Sequence, residues 1–323
     1  MTEPLMRLLQ SRGERITVGA LPWVAPVYRA MEAVAEVIEL PFAHGGLQWK
    51  ARRTLGKQLK GRFARAIICP NSLKSALLPW WAEIPERVGY HGEARFGLLT
   101  RRLPNPDKYA RPPMVDWYAA LAGASAPHLV QPRLQIDRAL ARSVLQSHQL
   151  REKEFFVLVP GAEYGPAKRW PMERFAELAQ RLAHDHAMPV LLLGSAKDAA
   201  LCADIAAHVD VQAAPLCRNL AGQTNLEHAM ALAALARAMV SNDSGMMHVA
   251  AALNVPQVAI FGSSSPLHTP PLSAHAKVLW LKSDSQYTPP LDCAPCFARQ
   301  CPLGHTRCLS DISTAMVLAQ LPV

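Results

Sequence analysis

Short apolar runs alternate with stretches of helical period through the second half of the chain, and this alternation limits the fold more than any other feature. Phe155-Phe-Val-Leu-Val159 precedes a Gly/Pro-rich loop over 160–166, then a stretch from Pro171 to His186 in which Phe175, Leu178, Leu182 and Ala183 recur at helical spacing. Pro189-Val-Leu-Leu-Leu193 repeats the pattern, ending at Gly194 ahead of an Ala-rich helix from about Asp198 to His208. A helix over 225–239, the segment Val240-Ser-Asn-Asp-Ser-Gly245, a helix over 246–253 and the strand run 256–261 complete it. Continuous apolar strands separated by helices mean a parallel sheet covered on both faces.

The first half alternates less cleanly. Ile16–Ala20, Val37–Leu40 and Ala66–Cys69 read as strands, with helices after the first, between Gln48 and Lys60, and from Ser72 to Ala82. Low periodicity around Pro127 to Arg133 and a helix to about Leu150 join the halves, which puts the domain boundary near residue 152 and gives domains 1–151 and 152–323. The chain opens in a helical pattern, Leu5, Leu8 and Leu9, with no strand before it, although an α/β domain ordinarily begins with a central strand.

The net charge of +9 is concentrated. Twelve Lys and Arg lie between residues 44 and 102 against only Glu83, Glu86 and Glu93, so this one segment accounts for the whole excess. Such a field favours an anionic partner: a phosphate, a carboxylated sugar or an anionic membrane surface. Nucleic acid is disfavoured, because the segment lacks interleaved aromatics and any zinc-finger, RNP or basic-zipper pattern. No apolar run approaches the roughly 18 residues that span a bilayer. The run from Ala229 stops at Arg237, and the amino terminus carries Glu3 and Arg7, so a cytoplasmic protein is expected.

Two loops carry the chemistry. Gly161-Ala-Glu-Tyr-Gly-Pro-Ala-Lys-Arg-Trp-Pro171, between a strand and a helix, can turn backbone N–H groups toward an anion, with Lys168 and Arg169 adding charge. It is not a Walker loop, and no G-x-G-x-x-G occurs anywhere. Ser241-Asn-Asp-Ser-Gly-Met-Met-His248 is also a strand-to-helix junction. Asp243 and Ser244 fall where an N-cap is expected, Gly245 in the first turn suggests close approach by another group, and His248 sits on the first turns.

Together these loops, with C-P-N-S-L-K-S-A-L (Cys69–Leu77), R-V-G-Y-H-G-E-A-R-F-G-L-L (Arg87–Leu99) and C-x-x-C-x-x-x-x-C-P-L-G-H (Cys293–His305), closely resemble glycosyltransferase family 9 over nearly the whole chain. The resemblance implies a GT-B architecture: two Rossmann-like α/β domains facing a central cleft, the carboxy-terminal one for ADP-heptose and the amino-terminal one for the acceptor. It implies inverting, metal-independent transfer of L-glycero-D-manno-heptose to the first heptose of the lipopolysaccharide inner core on Kdo-lipid A, with no cofactor. By the same resemblance Glu163, Tyr164 and Lys168 line the diphosphate loop, and Lys168 stabilises the departing ADP. Asp243, Ser244, Gly245 and His248 surround the heptose and phosphates, and Asp198 and Thr224 lie toward ribose or adenine. The basic segment fits the anionic acceptor and a peripheral position on the inner membrane, with Lys74, Arg87 and Arg95 as acceptor-side candidates.

The family opens with a strand and a Gly-Asp turn whose Asp is the proposed general base, whereas the match here starts just beyond that place. The expectation is a trimmed amino terminus; the alternative is a catalytically impaired binding protein of the same fold. Glu3, the nearest carboxylate, belongs to the following helix and is not promoted to base.

Four of the seven cysteines cluster as C-x2-C-x4-C-x6-C: Cys293, Cys296, Cys301 and Cys308, with His305 among them. A small zinc site, free thiols and two disulfides are the open readings, the last disfavoured in a reducing compartment. Cys69, Cys202 and Cys217 read as packing residues.

Overall fold

The computed structural model describes residues 1–43, 45–106, 111–124 and 130–321. The chain divides into two compact units, Met1–Val130 and Gln131–Val323. Part of the expected connecting segment, residues 127–129, lies outside the described residues.

The second unit runs α6 (Arg138–Ser147), β6 (Phe156–Val159), α7 (Met172–His186), β7 (Val190–Leu192), α8 (Ala199–Ala207), β8 (Cys217–Asn219), α9 (Leu226–Leu235), β9 (Ala238–Asn242), α10 (Gly245–Ala252), β10 (Gln257–Ile260), β11 (Ala276–Leu279), α11 (Arg307–Ser310) and α12 (Thr314–Leu318). Its six strands form one parallel sheet in the order β11-β10-β9-β6-β7-β8. Because side chains alternate along a strand, Phe156 and Leu158 enter one core with Phe175, Leu178 and Leu182 of α7, while Val157 and Val159 enter another with Val144 of α6 and Leu232 of α9. Both faces are therefore dry, as the unbroken apolar runs require.

The unit boundary falls at 130/131 rather than near 152 because α6 packs its apolar stripe, Ala141, Val144 and Leu145, into this second core. Two further readings shift. The Ala-rich stretch expected to be helical to 239 leaves the helix at Ala236 and becomes β9 from Ala238, since Val240 is needed between Leu158 and Val258 in the sheet. The short strands β8 and β11 give no period-2 signal and escape the sequence reading.

The first unit contains α1 (Glu3–Ser11), β1 (Ile16–Ala20), α2 (Ala25–Arg29), β2 (Val34–Glu39), α3 (Trp49–Gln58), β3 (Arg65–Ile68), α4 (Leu73–Trp81), β4 (Glu86–Tyr90), β5 (Arg101–Leu103) and α5 (Met114–Ala120). Its strands are parallel but split into a pair, β1-β2, and a triplet, β3-β4-β5. A cavity of about 730 Å³ is bordered by β1, β3, α1 and α4. Among the described residues no helix is long and apolar enough to cross a membrane.

Candidate functional site

The loop from Pro160 to Pro171 and the β9–α10 junction meet at the carboxyl end of β6 and β9. Asn242, fully buried at the end of β9, joins them: its Nδ2 donates to Pro160 O at 2.7 Å, and its Oδ1 accepts from Trp170 N at 2.9 Å. Trp170 is buried and donates its indole N–H to Ile312 O at 2.9 Å, which pins the far end of the loop. Neither Asn242 nor Trp170 was singled out from sequence, where an Asn in a polar loop motif has no distinguishing mark.

Held in this way, the 3-10 turn Pro166–Lys168 directs the Lys168 ammonium onto the Asp243 carboxylate. The side chains are 18% and 5% exposed, so the pair is shielded and interacts more strongly than a surface pair. Asp243 is thus an ion-pair partner rather than the expected cap. The N-cap of α10 is Ser244, and its side chain makes no capping bond. Gly245 has nothing within 4 Å of where a Cβ would stand, so the helix begins in open space rather than against a packed neighbour.

At and just after the ends of β9 and β10 the hydroxyls of Ser241, Ser244, Ser263 and Ser264 are buried and have no hydrogen-bond partner among the described residues. Buried hydroxyls ordinarily find partners, and two of these orphans, Ser241 and Ser244, flank the Lys168–Asp243 pair at the start of α10, a place suited to a polar, negatively charged group. Ser263 and Ser264 follow β10 and were missed; three successive serines after a strand were the available signal. His248, half-buried on α10, is pushed below its ordinary pKa by burial, with Asp243 opposing the shift and Lys168 adding to it. It is therefore a neutral hydrogen-bonding group near pH 7.

The remaining donor-side candidates are more peripheral. Glu163 pairs with Lys197 at 2.8 Å, both well exposed. Tyr164 lays its ring beside Lys168, with Nζ 5.3 Å from the centroid, and donates its hydroxyl to Phe297 O at 2.7 Å. Asp198 accepts from Ser195 N at 2.9 Å and Ser195 Oγ at 2.7 Å in a capping box, so its carboxylate is committed to the turn after β7. Thr224 is half-buried just before α9.

The acceptor-side candidates sort differently. Arg95 is 2% exposed and donates to Pro70 O (2.8 Å), Tyr90 O and Asn71 Oδ1 (3.3 Å). Arg87 donates to Leu98 O at 2.6 Å and to Ile84 O. Both guanidiniums satisfy carbonyls that the sheet leaves open, so they act as struts rather than free surface charges. Lys74 is half-buried and its ammonium donates to Gly45 O at 2.9 Å. Glu3 is buried on α1 against Arg7 at 2.8 Å, in keeping with a structural role. All seven cysteines are unbridged, which removes the disulfide reading.

Residues 52–307 match the sequence profile of glycosyltransferase family 9 (heptosyltransferase). The chain is 42% identical to lipopolysaccharide heptosyltransferase 2 of Escherichia coli K12, over 99% of this chain and 93% of the relative. It is 40% identical to lipooligosaccharide heptosyltransferase 2 of Haemophilus influenzae, over 82% and 80%. The solved structure of E. coli ADP-heptose lps heptosyltransferase II superposes with a TM-score of 0.84 at 38% identity, covering 99% of this chain and 92% of that one. E. coli heptosyltransferase WaaC with ADP shares the fold, with a TM-score of 0.63 at 19% identity. The fold class is thus GT-B, as the resemblance implied. With its two motif loops drawn together around one ammonium and one helix start, the chain belongs to glycosyltransferase family 9, the heptosyltransferases.

Proposed function

We propose that the protein transfers L-glycero-D-manno-heptose from ADP-heptose to the first heptose of the lipopolysaccharide inner core, with inversion and with no metal at the donor phosphates. The observation that carries this reading is the meeting of Lys168 with Asp243 beside the α10 start and its orphan serines. Departure of ADP builds negative charge on the β-phosphate oxygen that bridged to the sugar. A preorganised ammonium and backbone N–H groups meet that charge without reorganising solvent. Asp243 holds Lys168 in place through its carboxylate.

Ser244 supplies a hydroxyl donor to the diphosphate. Tyr164 and Glu163 border it, His248 offers a neutral donor or acceptor to the heptose, and Thr224 lies toward the nucleoside. On the acceptor side, Lys74 and the exposed cations of α3 and β5 attract the anionic inner core. Exposed Trp23, Trp49, Trp80 and Phe96 in the same unit fit an interfacial seat on the membrane, where amphipathic rings are favoured. The base that takes the acceptor proton is assigned to none of the residues above.

Calorimetry with ADP tests the donor site directly: binding that is lost in Lys168→Ala supports it, and absence of binding to folded protein removes it. Single-turnover transfer from ADP-heptose, by this chain and by one extended with the family's opening strand and Gly-Asp turn, tests catalysis. Donor binding with no transfer in either form supports the impaired binding protein instead.

A further inference from the structure

The cysteine-rich run plays no part in the chemistry above, yet it folds around a point. Cys293, Cys296, Cys301 and Cys308 all border one small cavity, together with His305 and Ser263. The cavity volume is about 20 Å³, room for about one water-sized occupant. His305 already accepts the Arg307 N–H at Nδ1, 3.1 Å away, so that nitrogen is engaged and the four thiols make up the ligand set. Among the described residues no three His, Cys, Asp or Glu side chains are already gathered tightly enough to hold a metal ion, so an ion would have to draw the sulfurs together as it binds.

The geometry points to one tetrahedral metal ion, zinc(II) or iron, held by Cys293, Cys296, Cys301 and Cys308, with the task of bracing the Lys168 loop. Four thiolates in a tetrahedron select these metals. Binding releases four thiol protons and leaves the site with a charge of −2 for a divalent ion, in a stretch of sequence that also carries Arg299 and Arg307. The bracing follows from where the run is stitched. Arg299 O accepts from Ala167 N at 3.1 Å, Phe297 O accepts from the Tyr164 hydroxyl at 2.7 Å, and Phe297 N donates to Ser263 O at 2.7 Å. Gly165, at φ 151°, lies so close that a Cβ would stand 2.5 Å from Arg299 O. The loop bearing Lys168 therefore rests on the backbone between Cys296 and Cys301, and whatever fixes those two cysteines fixes the loop.

The bracing role rests on the proposed donor site; the metal site does not, and the tests keep them apart. Protein purified under reducing conditions without chelator should carry about one zinc or iron per chain by mass spectrometry of the metals. After chelation, cobalt(II) should give the intense d–d and sulfur-to-metal bands of a tetrahedral tetrathiolate, saturating at one equivalent and displaced by zinc. Cys301→Ser and Cys308→Ser should each weaken uptake at least tenfold, and Cys69→Ser in the first unit should leave it unchanged.

Absence of tetrathiolate bands in the folded, reduced wild-type chain overturns the site. So does an intact mass lower by the hydrogens of one or two disulfides in protein isolated from cells, or uptake that survives both cluster variants. For the bracing role, the metal-free chain should bind ADP about tenfold more weakly, with zinc restoring it. Unchanged ADP affinity overturns the brace and leaves the metal site standing. Failure of both forms to bind ADP overturns the donor reading instead.

Discussion

The two units are built from the same alternation of strands and helices, yet one is closed and the other is open at its centre. In the second unit every residue of β6, β7, β9 and β10 is buried, and one sheet of six strands carries cores on both faces. In the first, β2 has no buried residue, β3 has one, and the sheet is split beside a cavity of about 730 Å³. The lesson is that parallel sheets depend on their central strands. Where both faces and both edges are covered, short runs such as Val190–Leu192 are fully buried. Where an edge lacks a partner, apolar residues such as Ile67 line space instead.

The contrast breaks most sharply with paired core truncations. Leu158→Ala, inside the closed sheet, should cost about 2–5 kcal/mol of stability in urea denaturation. Ile67→Ala, beside the cavity, should cost less than about 1.5 kcal/mol because few contacts are lost there. Equal costs would show that the first unit is as tightly packed as the second. Next in size is the donor site that the closed sheet supports: Lys168→Ala should lower kcat about 10²–10³-fold in any form that turns over, the loss typical of one oxyanion-stabilising group.

A smaller effect sharpens the comparison from the other side. Amides of β6 and β9 should exchange more slowly than those of β1 and β3 in hydrogen-exchange measurements, and equal protection would show that the two units are packed alike. Smallest is a pH effect. His248 is held below its ordinary pKa by burial, so the unfolded chain binds its proton first as pH falls through about 6.5. Stability should then fall on acidification below that point by at most about 1.4 kcal/mol per pH unit, and His248→Gln should flatten the slope.

Legibility followed the same division. In the second unit β6, α7, β7 and β10 were readable within a residue or two, because burial on both faces forces continuous apolar runs. The motif loops were readable as anion sites, but the pairing of Lys168 with Asp243, across 75 positions, was not. Nor was the use of Asn242 as the joint between them. In the first unit Arg87 and Arg95 were read from sequence as acceptor-side candidates. Their burial against carbonyls of the β3–β5 region depends on how that sheet ends, which no local pattern encodes.

By itself the sequence determined the parallel α/β class, the family and the two loops that carry charge, since apolar periodicity, loop glycines and lysine placement are local properties of the chain. Tertiary structure alone decided which cation meets which carboxylate, which arginines are struts, and that four cysteines spread over sixteen positions face one small cavity. Those outcomes depend on distances between segments far apart in sequence, fixed only when the sheet aligns the ends of its strands.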